Sequence, residues 1–220
     1  MHIAEEVRSM ILREITGNDR DALDAFLARY GGETERFATL MAQVVMDWQE
    51  FDRAAPDEKR GRISAVMFSA ITLHIQSMEL FLRGHLLASG NLMRQVLEAI
   101  AMSLLSSGKT LNILDLFVEG KYSTQSAVRD LRRNRKVLGI SDAGVDSLVE
   151  AEKFYHQHSH LSRMTIASMM SVQHDASFYV GASFDEGKVN GYDREMDSRM
   201  ELTNVFTTFI EAVKANIAKW

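Results

Sequence analysis

The chain has 220 residues, 46% of them hydrophobic and 25% charged, with a formal net charge of -5 at pH 7. That length carries one sizeable core, or one core with a helical arm, and the acidic balance removes any global attraction to phosphate backbones or anionic lipid. The absence of cysteine excludes disulfides, thiolate metal sites and cysteine nucleophiles, and suits a reducing cytosol.

One proline and 13 glycines leave few breakers, which favours long helices over many short strands. The first residues, Met1 to Glu6, lack the basic-then-apolar layout of a signal peptide. The longest charge-free run, between Arg62 and Glu79, is shorter than the ~20 residues that span a bilayer and contains His74 and Gln76. A cytoplasmic chain with no membrane partner is expected.

The elements follow in order. Ile3, Val7, Met10, Ile11 and Ile15 share one face of a first helix that Gly17 ends. Asn18 or Asp19 can cap a second helix carrying Leu23, Phe26, Leu27 and Tyr30, which Gly31-Gly32 breaks. A third helix spans about 33–51, with Phe37, Met41, Val44 and Trp48 inward. Pro56, Asp57 and Glu58 mark the next start, because proline is tolerated in a first turn and acids suit the positive end of the helix dipole. Residues 1–55 could therefore form a helical arm on a main bundle of 56–220; no Ser/Gly-rich linker separates them, and a single domain over 1–220 is expected.

The fourth helix, about 57–87, is apolar over most of its circumference, as befits the centre of a bundle. Ser89-Gly90-Asn91 is short enough to force an antiparallel return into a fifth helix that Ser106-Ser107-Gly108 ends. A short helix over 111–118 follows, then one capped by Ser123 and stopped by Gly139, then one opened by Ser141 and Asp142 that runs towards His160. The helical pattern weakens over 159–173. Phe178, Tyr179 and Val180 with the turn signal Asp185-Glu186-Gly187 predict a short β-hairpin or an ordered loop near 177–192. A last helix over about 193–218 closes an all-α bundle centred on the antiparallel pair.

Four groups of residues carry candidate chemistry. Arg94 and Glu98 stand one turn apart on the fifth helix; at a surface they form a weak intrahelical pair, whereas at a bundle seam they can bind a ligand. His74 and His85, assigned to one face of the fourth helix, can join them. If the helix continues to His160, then Glu152, His156 and His160 lie on one face at steps of four, while His158 points elsewhere; one carboxylate and two imidazoles can supply three legs of a divalent-metal site. Arg129, Arg132, Arg133, Arg135 and Lys136 form a basic helix segment, either a solvated face or a footprint for RNA phosphates. Phosphate-binding glycine loops, a dinucleotide fingerprint, a nucleophile elbow and zinc-finger spacing are all absent. Apart from the metal, no cofactor is expected.

The run Leu92-Met93-Arg94-Gln95-Val96-Leu97-Glu98 after a long apolar helix, with the later Tyr155 to Ser162 segment, resembles HEPN-like all-helical bacterial proteins of unknown function over roughly residues 63–170. The resemblance implies an α-helical bundle, frequent dimerisation, and roles in RNA cleavage, defence or toxin–antitoxin systems. HEPN ribonucleases carry an arginine followed after four to six residues by a histidine, and this chain has no such pair; Lys153 with His160 is the nearest substitute, and lysine lacks the planar fork of arginine. The expectation is a non-catalytic bundle acting by association as a homodimer. The alternatives are an RNA-acting enzyme using Lys153 and His160, and a metal-binding bundle.

Overall fold

The structure is a computed structural model that describes residues 2–17, 19–55, 57–172 and 177–220, without the side chains of His2 and Ile3. Asn18 as a cap, Pro56 as a helix start, Ile3 as an inward residue and Gln173 as the end of a weak helix lie outside the described residues. Nine α-helices are described: α1 (His2–Ile15), α2 (Arg20–Arg53), α3 (Glu58–Leu82), α4 (Leu86–Ser107), α5 (Ile113–Val118), α6 (Ala127–Leu138), α7 (Asp142–His156), α8 (Arg163–Ser168) and α9 (Val189–Ile217). Single 3-10 turns at Thr124–Ser126 and Glu186–Lys188 lead into α6 and α9. Between α8 and α9 the described residues form an ordered loop with one isolated antiparallel bridge, Met170 to Phe178, and no hairpin ladder.

The antiparallel pair α3–α4 is the centre of the all-α bundle, but its turn is not Ser89-Gly90-Asn91. The chain reverses at Arg83-Gly84-His85. Gly84 takes φ +82°, and the His85 and Gly84 N–H groups donate to the Leu80 and Phe81 carbonyls, the double bond that closes a helix with a left-handed glycine. Ser89 and Gly90 are instead buried inside α4. They are small because other groups approach them closely: Ser89 Oγ donates to the Ser77 carbonyl of α3 at 2.7 Å, and a Cβ on Gly90 would lie 2.3–2.9 Å from the His158 ring.

The break expected at Gly31-Gly32 falls one residue earlier, as a kink where two helical segments meet. α2 runs through both glycines, bending at Tyr30 (φ -114°, ψ 18°), where the phenol donates to Asp193 Oδ1 of α9 at 2.7 Å and Arg29 grips the same carboxylate. Tertiary packing here outweighs the ~1 kcal/mol that each mid-helix glycine costs. Phe26, Tyr30, Phe37, Met41 and Val44 of α2 join the core that α3, α4 and α9 share. α1, by contrast, leaves Val7, Ile11, Leu12 and Ile15 exposed and meets the body through Glu14, which accepts from the Ala182 N–H at 3.3 Å.

α3 is long and apolar enough to cross a membrane by length and composition, and 44% of its most apolar window is buried inside the bundle. Its start is capped by Asp57, which accepts from the Arg60 N–H at 2.9 Å. Ser141 caps α7 in the same way, and Gly139 stops α6 in the left-handed region as expected. α7 itself ends at His156 rather than His160, and Ser162 opens α8 with a reciprocal capping box to Thr165.

Candidate functional site

A charged pair inside α9 organises the polar interior. Tyr192, Met196, Arg199, Thr203 and Phe206 recur at helical spacing, so all five point into the bundle, and Glu195 stands one turn before Arg199. The Arg199 side chain is 1% exposed. Its Nη1 donates to Glu195 Oε2 at 2.6 Å and to the Glu195 carbonyl at 2.8 Å, and Nη2 donates to Ser89 Oγ of α4. The guanidinium also lies 4.6 Å from the centre of the Phe81 ring of α3. Taking an ion pair out of water costs several kcal/mol per charge, and this one is compensated by the serine, by the carbonyl and by the aromatic face.

The network extends in two directions. On one side Ser89 and Ser77 exchange hydroxyl–carbonyl bonds across α3 and α4, at 2.7 and 3.2 Å. On the other, Tyr155 of α7 donates to Glu195 Oε2 at 3.1 Å, and His158 Nε2 faces Glu195 Oε1 at 3.9 Å, beyond hydrogen-bond reach. The His158 side chain is 4% exposed and lies against Gly90, the close approach that only a glycine permits. Burial lowers its pKa; Glu195 opposes that shift and Arg199 adds to it, so the imidazole is neutral at pH 7. His158 Nδ1 and Arg199 Nε are buried without a hydrogen-bond partner.

Glu195 and His158 reach the outside through a pocket of about 270 Å³. Phe81, Phe154, Met164 and Tyr192 supply apolar walls, and Glu195 and His158 supply the polar one. Lys188 and Arg194 also line it; Lys188 Nζ is engaged by the Ser168 carbonyl at 3.1 Å and the Tyr179 hydroxyl at 2.9 Å. An apolar pocket with a few convergent polar groups, one of them with a perturbed pKa, has the form of a small-molecule site.

His74, a ligand candidate from sequence, is a core residue of the same network. Its Nε2 lies 3.0 Å from Thr203 Oγ1 and 3.2 Å from the Arg199 carbonyl. The Thr203 proton is already given to that carbonyl, so Nε2 carries the imidazole proton and donates. Burial, and then Arg199, lower its pKa to about 3. A folded-state pKa below the unfolded value of 6.5 means that the unfolded chain binds the proton first. Stability is therefore expected to fall as pH drops from 6.5 towards 3, by up to about 1.4 kcal/mol per pH unit. Urea midpoints at pH 6.5 and 5 should drop more in wild type than in His74→Asn; equal drops would remove His74 as the cause.

The remaining candidates lie elsewhere. His85 is not on α3 but in the turn before α4, 3.6 Å from Glu14 and 3.4 Å from Asp19. Arg94 and Glu98 do sit at a seam: Arg94 Nε donates to Glu98 Oε1 at 3.0 Å, both side chains are nearly buried, and Thr124 donates to Glu98 Oε2 at 3.1 Å. Arg94 continues into an open cleft of about 380 Å³ with Gln125, Glu152, Lys153 and His156. Glu152 there has a raised pKa, from burial first, with Arg94 opposing and Glu98 adding. The proposed ligand set of Arg94, Glu98, His74 and His85 is thus divided among three places.

His156 and His160 are exposed, with ring centres 4.6 Å apart. Among the described residues no group of three or more His, Asp or Glu side chains is arranged to hold a metal ion, so Glu152, His156 and His160 do not form that triad, although the two rings stay in contact past the end of α7 at His156. In the basic segment, Arg129 and Arg133 pair with Asp130, Arg132 with Asp146 and Arg135 with Asp142, while Lys136 is exposed. Two of these pairs tie α6 to α7, with surface pairs contributing about 0–1 kcal/mol each. Lys153 is exposed at the cleft and His160 is outside it.

Sequence reasoning missed Glu195, Arg199 and His158. The available signal was the spacing Glu195, Arg199, Thr203 in steps of four beside Tyr192 and Met196 on an inward face. No family model matches this chain, and comparison with curated proteins and with solved structures gives no match.

Proposed function

We propose that this protein is a non-catalytic, cytoplasmic binding module that holds a small molecule in the pocket between α3, α7, α8 and α9. The observation that carries this reading is a partly buried carboxylate and a neutral buried imidazole, Glu195 and His158, presented together on one wall of a mostly apolar pocket. Glu195 also holds Arg199, but its Oε1 takes no part in that pair, and burying the His158 imidazole beside it costs stability that an apolar wall avoids. Ala167 lines the same pocket, so Ala167→Trp fills it from the side of α8. In a thermal-shift screen of small aromatic and alicyclic compounds, wild type should be stabilised by hits to which Ala167→Trp is blind. A screen with no hits, or hits that act equally on both, would remove the reading.

Self-association is a second reading, favoured by α1. Val7 is 44%, Ile11 43%, Leu12 50% and Ile15 76% exposed, a contiguous apolar patch of the kind that marks an interaction surface. A second copy is the occupant proposed, because two-fold pairing covers the same patch on both chains. Light scattering at micromolar concentration should give a dimer mass that the double variant Ile11→Lys, Ile15→Lys reduces to the monomer. A monomeric wild type contradicts it. The RNA-acting role implied by the HEPN resemblance rests on that resemblance and on Lys153 and His160, of which only Lys153 lines the Arg94 cleft.

A further inference from the structure

The charges around the pocket are unevenly matched. Glu195 has its counter-ion inside the bundle, since Oε2 accepts from Arg199 Nη1 at 2.6 Å and from the Tyr155 hydroxyl at 3.1 Å. His158 is neutral. Lys188 and Arg194 line the same pocket, and among the described residues neither forms an ion pair. The Lys188 ammonium donates to two neutral acceptors, the Ser168 carbonyl at 3.1 Å and the Tyr179 hydroxyl at 2.9 Å. It has three protons, so one remains. Asp185 feels the Lys188 charge, but its oxygens are taken by the Val172 and Gly187 N–H groups at 2.7 and 2.9 Å. Arg194 is exposed and makes no hydrogen bond among the described residues, which leaves its planar fork open at the pocket mouth.

Of the charged side chains that line the pocket, Glu195 is cancelled by Arg199, whereas Lys188 and Arg194 remain. The pocket is therefore positive in a chain whose net charge is -5. Such a local field concentrates anions. A carboxylate head only accepts, so it can take the remaining Lys188 proton and the N–H groups of Arg194. An ammonium head would meet two cations, with Glu195 already neutralised. An uncharged head would leave both cations as they are. The walls then select the body of the ligand: Phe81, Phe154 and Tyr192 present rings and Met164 an adaptable thioether. A cavity of roughly 150 Å³ accepts benzene, so about 270 Å³ takes a substituted single ring.

Resting on the ligand-binding reading, we propose that the pocket is a site for a small organic anion, a carboxylate on a single-ring apolar body. The head group sits on Lys188 and Arg194 at the mouth, and the body lies among Phe81, Phe154 and Met164.

The test is calorimetric titration of wild type with 4-ethylbenzoate, ethylbenzene, 4-ethylbenzylamine and acetate. Hydrogen bonds to a charged group correspond to about tenfold or more in affinity. The benzoate should therefore bind at least ~tenfold tighter than ethylbenzene, the amine or acetate. Arg194→Gln removes a charge that holds nothing else in the fold. It should weaken 4-ethylbenzoate by about two- to fivefold, the range for an exposed charge pair, and leave ethylbenzene unchanged. Adding Lys188→Met should bring the benzoate down to the affinity of ethylbenzene. If ethylbenzene and the benzoate bind wild type equally, or the amine binds tighter, the anion assignment is wrong while the pocket stands. Acetate binding as tightly as the benzoate overturns the apolar body. An Arg194→Gln protein that binds the benzoate as wild type does overturns the placement of the head. If none of the four binds wild type, the pocket reading itself fails. The wild-type comparison and Arg194→Gln decide these cases even if Lys188→Met does not fold.

Discussion

Replacing Glu195 with leucine should lower the stability of the fold by about 3–5 kcal/mol, the cost of leaving a buried charge without its partner. The charge left behind is Arg199, whose side chain is 1% exposed and has no route to water of its own. Its Nη2 would still reach Ser89, but Nη1 would keep only the carbonyl of residue 195. Arg199→Met should cost less, since the carboxylate it strands is 15% exposed and opens on the pocket. The double variant should recover part of the loss, because apolar residues of similar volume can replace a buried ion pair at little net cost. Urea denaturation of the two single variants and the double variant measures this directly. A Glu195→Leu protein within 1 kcal/mol of wild type would mean that Arg199 is solvated in solution and that the polar interior is not closed as described.

The second large effect is a reversal of sign. Alanine is a better helix former than glycine by ~1 kcal/mol at an open interior position. Gly32 in α2 is such a position, with nothing within 4 Å of an added Cβ, and Gly32→Ala should stabilise the protein by up to about that amount. Gly90 is also mid-helix, but its added Cβ would meet the His158 ring at 2.3–2.9 Å, and that ring is buried and cannot step aside freely. Gly90→Ala should therefore destabilise by about 1–3 kcal/mol, the usual range for overpacking, and should push His158 away from Glu195. Melting temperatures of the two variants should move in opposite directions. If both rise, the His158 ring does not rest on Gly90.

Those two glycines show what was legible in the sequence. The apolar periodicity of α3, α4 and α9 announced an all-α bundle around an antiparallel pair, and the helix starts at Asp57 and Ser141 and the stop at Gly139 could be read one by one, whereas Asp19 and Ser123, read as caps, make no side-chain cap bond. The turn could not. A glycine signals either a left-handed backbone or a close approach, and composition does not say which; Gly84 is the former and Gly90 the latter. The break read at Gly31-Gly32 falls at Tyr30, whose phenol is held by Asp193 of α9, a contact that local sequence does not announce.

The candidate site was less legible still. Arg94 and Glu98 were read as a pair from their spacing, with a surface and a seam both open, and Thr124 and the Glu152 cleft reach them only through long-range packing. In the Tyr155 to His160 run, extrapolating α7 to His160 put His156 and His160 on one face and turned His158 away. The helix stops at His156, and it is His158 that enters the interior while the other two stay exposed. Arg199 was hidden by its type: an arginine on an amphipathic helix usually belongs to the wet face. Only its step of four from Glu195, on the side marked by Tyr192 and Met196, distinguished it.

The central claim is that Glu195 and His158 wall a pocket that binds a small molecule. Methionine methyl NMR tests it directly, because Met164 lines the pocket while Met46 lies on α2 at 61% exposure, away from it. Titration with a compound that stabilises wild type in the thermal-shift screen should move the Met164 methyl resonance in a saturable way and leave Met46 unmoved. A Met164 resonance that stays fixed while other methyl groups shift, or a spectrum that does not change at all, would contradict the account.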